Sequence, residues 1–309
     1  MTLRAELIED GGLLASSAEF FRSPEFLAAE EATHTIRIEG ASMPVVLPAI
    51  VRPVEGGGRV DAISPYGYPG GAPALEDPPD PREVDWSATG LVSLFVRERI
   101  GRPSLAGGSE RSQVQVVDAS GGPGIRKRLV EQIAHNERRG WAGSATVGGS
   151  VTEEDIRGFE RAYGETMLRV EAAERYLYPH EYFERVLAAE SSWLLTVTRA
   201  GELGAGAIAV RSDGFLHYFL GGTCDAALSE SPMKNVFMAM ISLADSLGVP
   251  LSLGGGVAPG DSLERFKRGF SNRTEPFRTH EVVCDPDAYE ELSRGTDAPG
   301  GFFPAYRAG

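Results

Sequence analysis

Cysteine is nearly missing: Cys224 and Cys284 are the only two in 309 residues, and neither sits in a CxxC spacing. This excludes a disulfide framework and a cysteine zinc site, and it fits a reducing compartment. Long apolar runs are missing as well. The longest, residues 43–51 and 236–249, are interrupted or amphipathic, and both fall short of the ~18 residues that a membrane helix needs. MTLRAELIEDGG has no basic stretch followed by an apolar one, so no secretory signal is expected and a cytoplasmic location is. Positive charge is in short supply. Thirty basic residues face 44 acidic ones, a net charge of −14, which disfavours broad binding to nucleic acid or anionic membrane. A local basic patch gripping a small part of an RNA remains compatible with it. Lysine is scarcest of all. Lys127, Lys234 and Lys267 stand against twenty-seven arginines. Where arginine is the default cation, a retained lysine marks a place for a compact ammonium; codon usage is the plain alternative.

What is present is ordinary for a globular chain: 42% apolar and 24% charged residues. The length suggests two domains or one large one. Residues 17–31 read as a helix broken at Ser23-Pro24, and residues 34–39, 43–51 and 60–63 read as strands. An aromatic loop, Ser64-Pro-Tyr-Gly-Tyr-Pro-Gly-Gly71, and a proline-rich stretch, 73–81, follow. Residues 91–100 and 113–118 are further apolar elements. Residues 125–139 form a basic helix closed by Gly140. Gly148-Gly149-Ser150 reads as a hinge, which gives an amino-terminal domain, 1–148, and a carboxy-terminal domain, 149–309. In the second, Thr152 and Asp155 make a capping box for a helix over 153–172, and a second helix covers 179–189. Strands at 193–199, 205–211 and 215–220 follow, then a helix over 233–247 ended by Gly248, and a strand at 250–253. Asp261 and Glu264 repeat the capping-box pattern for a helix running to Phe270, a last strand covers 279–284, and the tail after Ala298 is expected to be mobile.

An ordered set of segments carries a resemblance. Tyr218-Phe-Leu-Gly-Gly-Thr223 is followed by Ser231-Pro232, Ala244-Asp-Ser-Leu-Gly248, Leu253-Gly-Gly-Gly256 and Asp261-Ser-Leu-Glu-Arg-Phe-Lys-Arg-Gly-Phe270. This set resembles the FemABX family of non-ribosomal peptidyl transferases. The first half agrees in outline through Ser23-Pro-Glu-Phe26, Phe95-Val-Arg97 and the helix ending at Gly140. The resemblance implies an α/β chain of two tandem GNAT-like (acyl-CoA N-acyltransferase-like) domains with mixed sheets. It implies transfer of an amino acid from aminoacyl-tRNA to the amine of a peptide, either a cell-wall precursor or a peptide-antibiotic intermediate. No cofactor or metal is implied. The sequence carries no long coiled-coil insertion of the kind that some members use to hold tRNA.

By the same resemblance, Lys267 is the catalytic residue. Aminolysis of an activated ester needs juxtaposition, removal of an amine proton and stabilisation of an oxyanion and a departing ribose oxygen, and a compact ammonium suits the last task. Phe266 is a candidate to stack on the terminal adenosine. Leu263, Phe266 and Phe270 also make the i, i+3, i+7 stripe of a core-facing helix, which gives Phe266 a purely structural alternative. Lys267, about 100° around the helix from Phe266, has the alternative of an ordinary solvated lysine. Arg265, Arg268 and Arg273 are donor-side candidates for RNA phosphates, and so are the cations of residues 126–139; exposed helix faces with i, i+4 pairs are the alternative for both. On the acceptor side the candidates are Tyr66, Tyr68, Arg97 and Glu76. The two tyrosines lie in a loop stiffened by Pro65 and Pro69, and otherwise serve to cover the core.

The loop 221–233 lacks the glycine turn with which acetyltransferases hold the diphosphate of coenzyme A, and it carries Asp225 and Glu230. That counts against acyl-CoA N-acyltransfer, the first alternative function. A non-catalytic double-GNAT binding protein is the second. The five histidines show no metal or triad spacing, His217 reads as structural, and no nucleophile elbow suggests an acyl-enzyme.

Overall fold

A computed structural model describes residues 2–55, 57–119, 124–256, 258 and 260–308. In chain order its elements are β1 (Leu3–Glu9), α1 (Pro24–Ala29), β2 (His34–Glu39), β3 (Val45–Pro53), β4 (Val60–Ile63), β5 (Val84–Asp85), β6 (Leu91–Arg97), β7 (Ser109–Val117), α2 (Lys127–Arg138), β8 (Ala142–Val147) and α3 (Glu153–Arg169). Then come α4 (His180–Ala188), β9 (Ser192–Arg199), β10 (Glu202–Ser212), β11 (Phe215–Thr223), α5 (Met233–Leu247), β12 (Leu251–Gly254), α6 (Ser262–Lys267), β13 (Arg273–Val283) and α7 (Pro286–Ser293). The chain is α/β, with two compact units built on mixed sheets.

The compact units are residues 1–111 with 276–309, and residues 112–275. The division therefore falls inside β7 and β13, not at the glycines around 148. The reason is pairing. β8, which ends just before those glycines, pairs antiparallel along its whole length with β9, so it belongs with the strands that follow it. Gly148 is tightly enclosed by Ala189, Ser192 and Leu187 of the same unit, so it does not act as a free hinge.

In the first unit the strands run β5-β1-β2-β3-β4-β6-β13. Pairing is antiparallel except between β1 and β5 and between β4 and β6. Alternation along the strands turns Ile36, Ile38, Val45, Leu47, Leu94 and Val96 into one core. The helix expected over 17–31 is shorter, as Ser23-Pro24 foretells. The Ser23 hydroxyl accepts from the Phe26 amide, and Pro24 takes the first helical position. The carboxy-terminal tail is pinned to this unit. Asp61, fully buried, accepts from Arg307 Nε (2.6 Å), Arg52 Nε (2.9 Å) and the Tyr306 hydroxyl (3.1 Å). The expectation of a loose tail fails here because its anchors, Tyr306 and Arg307, meet a buried carboxylate 245 residues away.

In the second unit the order is β7-β12-β11-β10-β9-β8. β10 is buried on both faces. Ala205, Ala207 and Ala209 join the core formed with Val236, Phe237 and Met240 of α5, while Gly206 on the opposite face meets Phe159 of α3. Gly222 in β11 lies against the α3 backbone at Ala162 and Tyr163, where no side chain fits. The Thr152–Asp155 capping box that starts α3 is formed as expected.

Candidate active site

Two features of β11 shape the site. First, its ladder with β10 skips a residue: Ile208 pairs with Leu220 and Ala209 with Tyr218, so Phe219 is a bulge. Bulges bend a strand and re-aim its neighbours, and they recur beside active sites. Second, β11 and β12 are parallel and paired only through Leu216–Leu251 and His217–Ser252. Beyond those pairs no ladder joins their described residues, although β11 continues to Thr223. This unladdered stretch, the β11–β12 wedge, has Tyr218 on one side and the end of β12 on the other.

Lys267 bridges that wedge. Its ammonium donates to the Gly255 carbonyl, one residue beyond β12, at 2.7 Å, and lies 5.3 Å from the centre of the Tyr218 ring. The side chain is only 5% exposed, so burial pushes its pKa down from 10.5 to about 8, with a smaller opposing pull from Asp261. The solvated-lysine alternative is thereby excluded. The local sequence explains the placement. Gly254 takes a left-handed conformation (φ +73°), and Gly256 gives room to the Asp261 carboxylate. Asp261 accepts from the Glu264 amide (2.7 Å) and caps the six-residue α6, which ends on Lys267. Gly221 is equally constrained, because any side chain there would collide with the Tyr218 hydroxyl. Gln115 and Ser271 hydrogen-bond at 2.9 Å within the same unit.

The other donor-side residues divide. Phe266 is partly buried and packs with Phe237 (5.1 Å between ring centres) and Phe270 (5.4 Å) at the edge of the core, as the apolar stripe implies. Leu263, the third member of that stripe, is 38% exposed. Arg265 donates to the Gly260 carbonyl, Arg268 pairs with Glu264, and Arg273 lies between Asp118 and Glu275 at 3.5 Å from each. The arginine side of the Arg268 and Arg273 pairs faces solvent, while their carboxylate partners are half-buried or buried.

On the acceptor side, all in the first unit, the structure joins three of the four candidates. The Arg97 guanidinium donates to the Ser64 carbonyl (2.7 Å), and its backbone N–H donates to the Ser64 hydroxyl (2.9 Å). The Tyr66 amide donates to Glu30. Tyr68 sits edge-on to Phe21 (5.7 Å) and Phe277 (5.2 Å), and burial raises its pKa. Tyr68 therefore packs on core aromatics, and Tyr66 on the loop and Arg97 at the end of β6 are half-exposed. Glu76 is exposed on the proline-rich stretch.

The expected repulsion of a diphosphate by bare Asp225 and Glu230 is corrected by their partners. Glu230 accepts from the Trp141 indole (3.0 Å) and Arg199 (2.7 Å) and pairs with Arg139 (3.2 Å), and these hold its pKa below the usual range, the indole bond most of all. Asp225 pairs with Arg169. What differs from a diphosphate cradle is the backbone. A 3-10 helix, Asp225–Glu230, fills the loop, and the Lys234 and Asn235 amides at the start of α5 already bond the Ser231 and Pro232 carbonyls.

Sequence reasoning named Lys267 but not its surroundings. Tyr218, Gly221 and Gly255 stood only within the segments of resemblance. The signal available was a tyrosine three residues before a glycine at the end of a strand, and a glycine run ending the next parallel strand.

No family model matches the chain, and no curated protein matches it in sequence. Solved structures do match in fold. The crystal structure of FemX superposes with a TM-score of 0.58 at 11% identity, over 83% of this chain and 89% of that one. The C-terminal domain of a putative lysylphosphatidylglycerol synthetase from Agrobacterium fabrum gives 0.59 at 14% identity, over 92% of each chain. L-PGS from Bacillus licheniformis gives 0.58 at 12%, over 85% and 87%. The resemblance to FemABX enzymes is thus met at the level of fold, across most of the chain. No described helix is long and apolar enough to cross a membrane.

Proposed function

We propose that the chain is an acyltransferase that moves an amino acid from aminoacyl-tRNA to the amine of a peptide. The observation that carries the reading is the buried Lys267 ammonium held between Tyr218 and the turn after β12 in the β11–β12 wedge. The amine nitrogen attacks the ester carbonyl carbon, the bond to the ribose oxygen breaks, and the amine's proton is balanced overall by the hydroxyl formed on the ribose. Negative charge develops on the carbonyl oxygen and then on the ribose oxygen. A positive group held in a water-poor site stabilises both without reorganising. The fold shared with FemX and with lysylphosphatidylglycerol synthetases supports aminoacyl transfer over other acyl chemistry. The filled diphosphate position before α5 supports a donor other than acyl-CoA. Arg268 and Arg273, whose guanidinium groups face solvent, are the donor-side residues proposed to meet phosphate.

Incubation with charged tRNA carrying a labelled amino acid, together with candidate peptide amines, tests this reading. Label should reach the amine, and ribonuclease treatment of the donor should prevent it. Transfer that persists after ribonuclease would refute RNA dependence.

The ammonium must stay charged to act, and its pKa is lowered to about 8. With donor saturating and the acceptor amine's own ionisation corrected for, kcat should fall as pH rises through about 8. A kcat that stays level to pH 10 would remove Lys267 from the electrostatic role.

A further inference from the structure

Away from the wedge, in the second unit, His180 opens α4 beside the start of α3. Its Nδ1 is 2.8 Å from Oε2 of Glu160. Its Nε2 is 3.3 Å from Oε2 of Glu153, whose Oε1 pairs with Arg157, and 3.7 Å from Oε1 of Glu184. One donor atom from each of Glu153, His180 and Glu184 lies within 4.8 Å of the others. We propose that these three side chains form a site for a divalent transition-metal ion of the zinc class, which would staple α3 to α4.

Three lines of chemistry lead there. First, bonds of ~2.0–2.2 Å to a tetrahedral ion put ligand atoms roughly 3.4 Å apart, close to the separations found around Nε2. Second, Glu160 on Nδ1 supplies the outer partner that a metal-bound imidazole usually has, which fixes the tautomer and leaves the Nε2 lone pair facing the two carboxylates. Third, the charges suit a dication. Glu153, Glu160 and Glu184 bring three negative charges, and Arg157, 2.6 Å from Glu153, cancels one. A neutral imidazole leaves a net of two negative charges for the ion to meet. An imidazole ligand favours zinc, cobalt or nickel over magnesium or calcium, which prefer all-oxygen shells. The spacing escaped the sequence reading because the ligands come from two helices. Only His180 and Glu184, four apart on α4, share one.

Titration of the full chain with zinc chloride by calorimetry, and with cobalt chloride by visible absorption, tests the site. One equivalent should bind, with the visible bands of low-coordinate cobalt, and magnesium should not compete. His180→Gln and Glu184→Gln should abolish binding, and Glu160→Gln, which keeps all three ligands, should weaken it about 10–100-fold. Circular dichroism of each variant establishes that it is folded. Saturable zinc binding that survives His180→Gln, or no saturable binding by the unaltered protein, overturns the proposal.

Discussion

Lys267→Met is expected to lose transfer activity by about 10²–10³-fold in kcat, the loss typical of removing one oxyanion donor, while remaining fully folded. The second half of that expectation is the unusual one. Burial holds the native pKa near 8 against an ordinary 10.5, so at pH 7 the folded state carries a desolvation cost of about 3 kcal/mol that the unfolded chain does not. Methionine fills a similar volume without the charge. It leaves the Gly255 carbonyl without its ammonium, and because Gly255 is half-exposed, water offsets part of that loss. The variant should therefore be about 1–3 kcal/mol more stable than the parent at pH 7 by denaturant unfolding. Between pH 8 and 10.5 the unfolded chain binds more protons at this position than the folded one, so the parent gains stability as pH rises and the gap narrows. A destabilised variant, or a gap that widens over that range, would contradict the placement of the ammonium. A more stable protein that has lost its activity is the mark of a residue kept for chemistry.

Asp61→Ala is expected to cost about 3 kcal/mol of stability and to free the tail. Removing one member of a buried, hydrogen-bonded ion cluster leaves the others desolvated without compensation. Arg52 and Arg307 keep about a third of their side-chain surface, which moderates the loss. The readouts are the denaturant midpoint and cleavage after Arg307 or Tyr306 by a protease that spares the parent. A tail as resistant in the variant as in the parent would show that Asp61 does not hold it.

The parts of this molecule legible in the sequence are those governed by neighbours along the chain. Ser23-Pro24, Thr152 with Asp155, and Asp261 with Glu264 each announced a helix start, and each side-chain cap is formed. Gly248 closes α5 in the left-handed conformation (φ +66°). The parts that escaped depend on partners far away. Nothing local marks Asp61 as the anchor of the last residues, and nothing marks β8 as the partner of β9 in place of the strands before it. β1 was missed because its LRAELIE pattern is only partly alternating and it is buried mainly at Ala5. Among the candidate residues, Lys267 stands out in the sequence by its rarity and its family-like context. That it is buried was not legible there, since α6 has only six residues and its stripe pointed to Phe266 as the inward residue. Both are inward. Phe266 enters the aromatic cluster, and Lys267 reaches the turn after β12.

An ester of tRNA, and not a thioester, is the acyl donor proposed for this wedge. The most direct measurement offers both donors in parallel to the purified protein with one amine acceptor: labelled aminoacyl-tRNA and labelled acetyl-CoA, each with the parent and with Lys267→Met. Label should pass from the tRNA alone, and only with the parent protein. Transfer from acetyl-CoA, or equal transfer from tRNA by Lys267→Met, would contradict it.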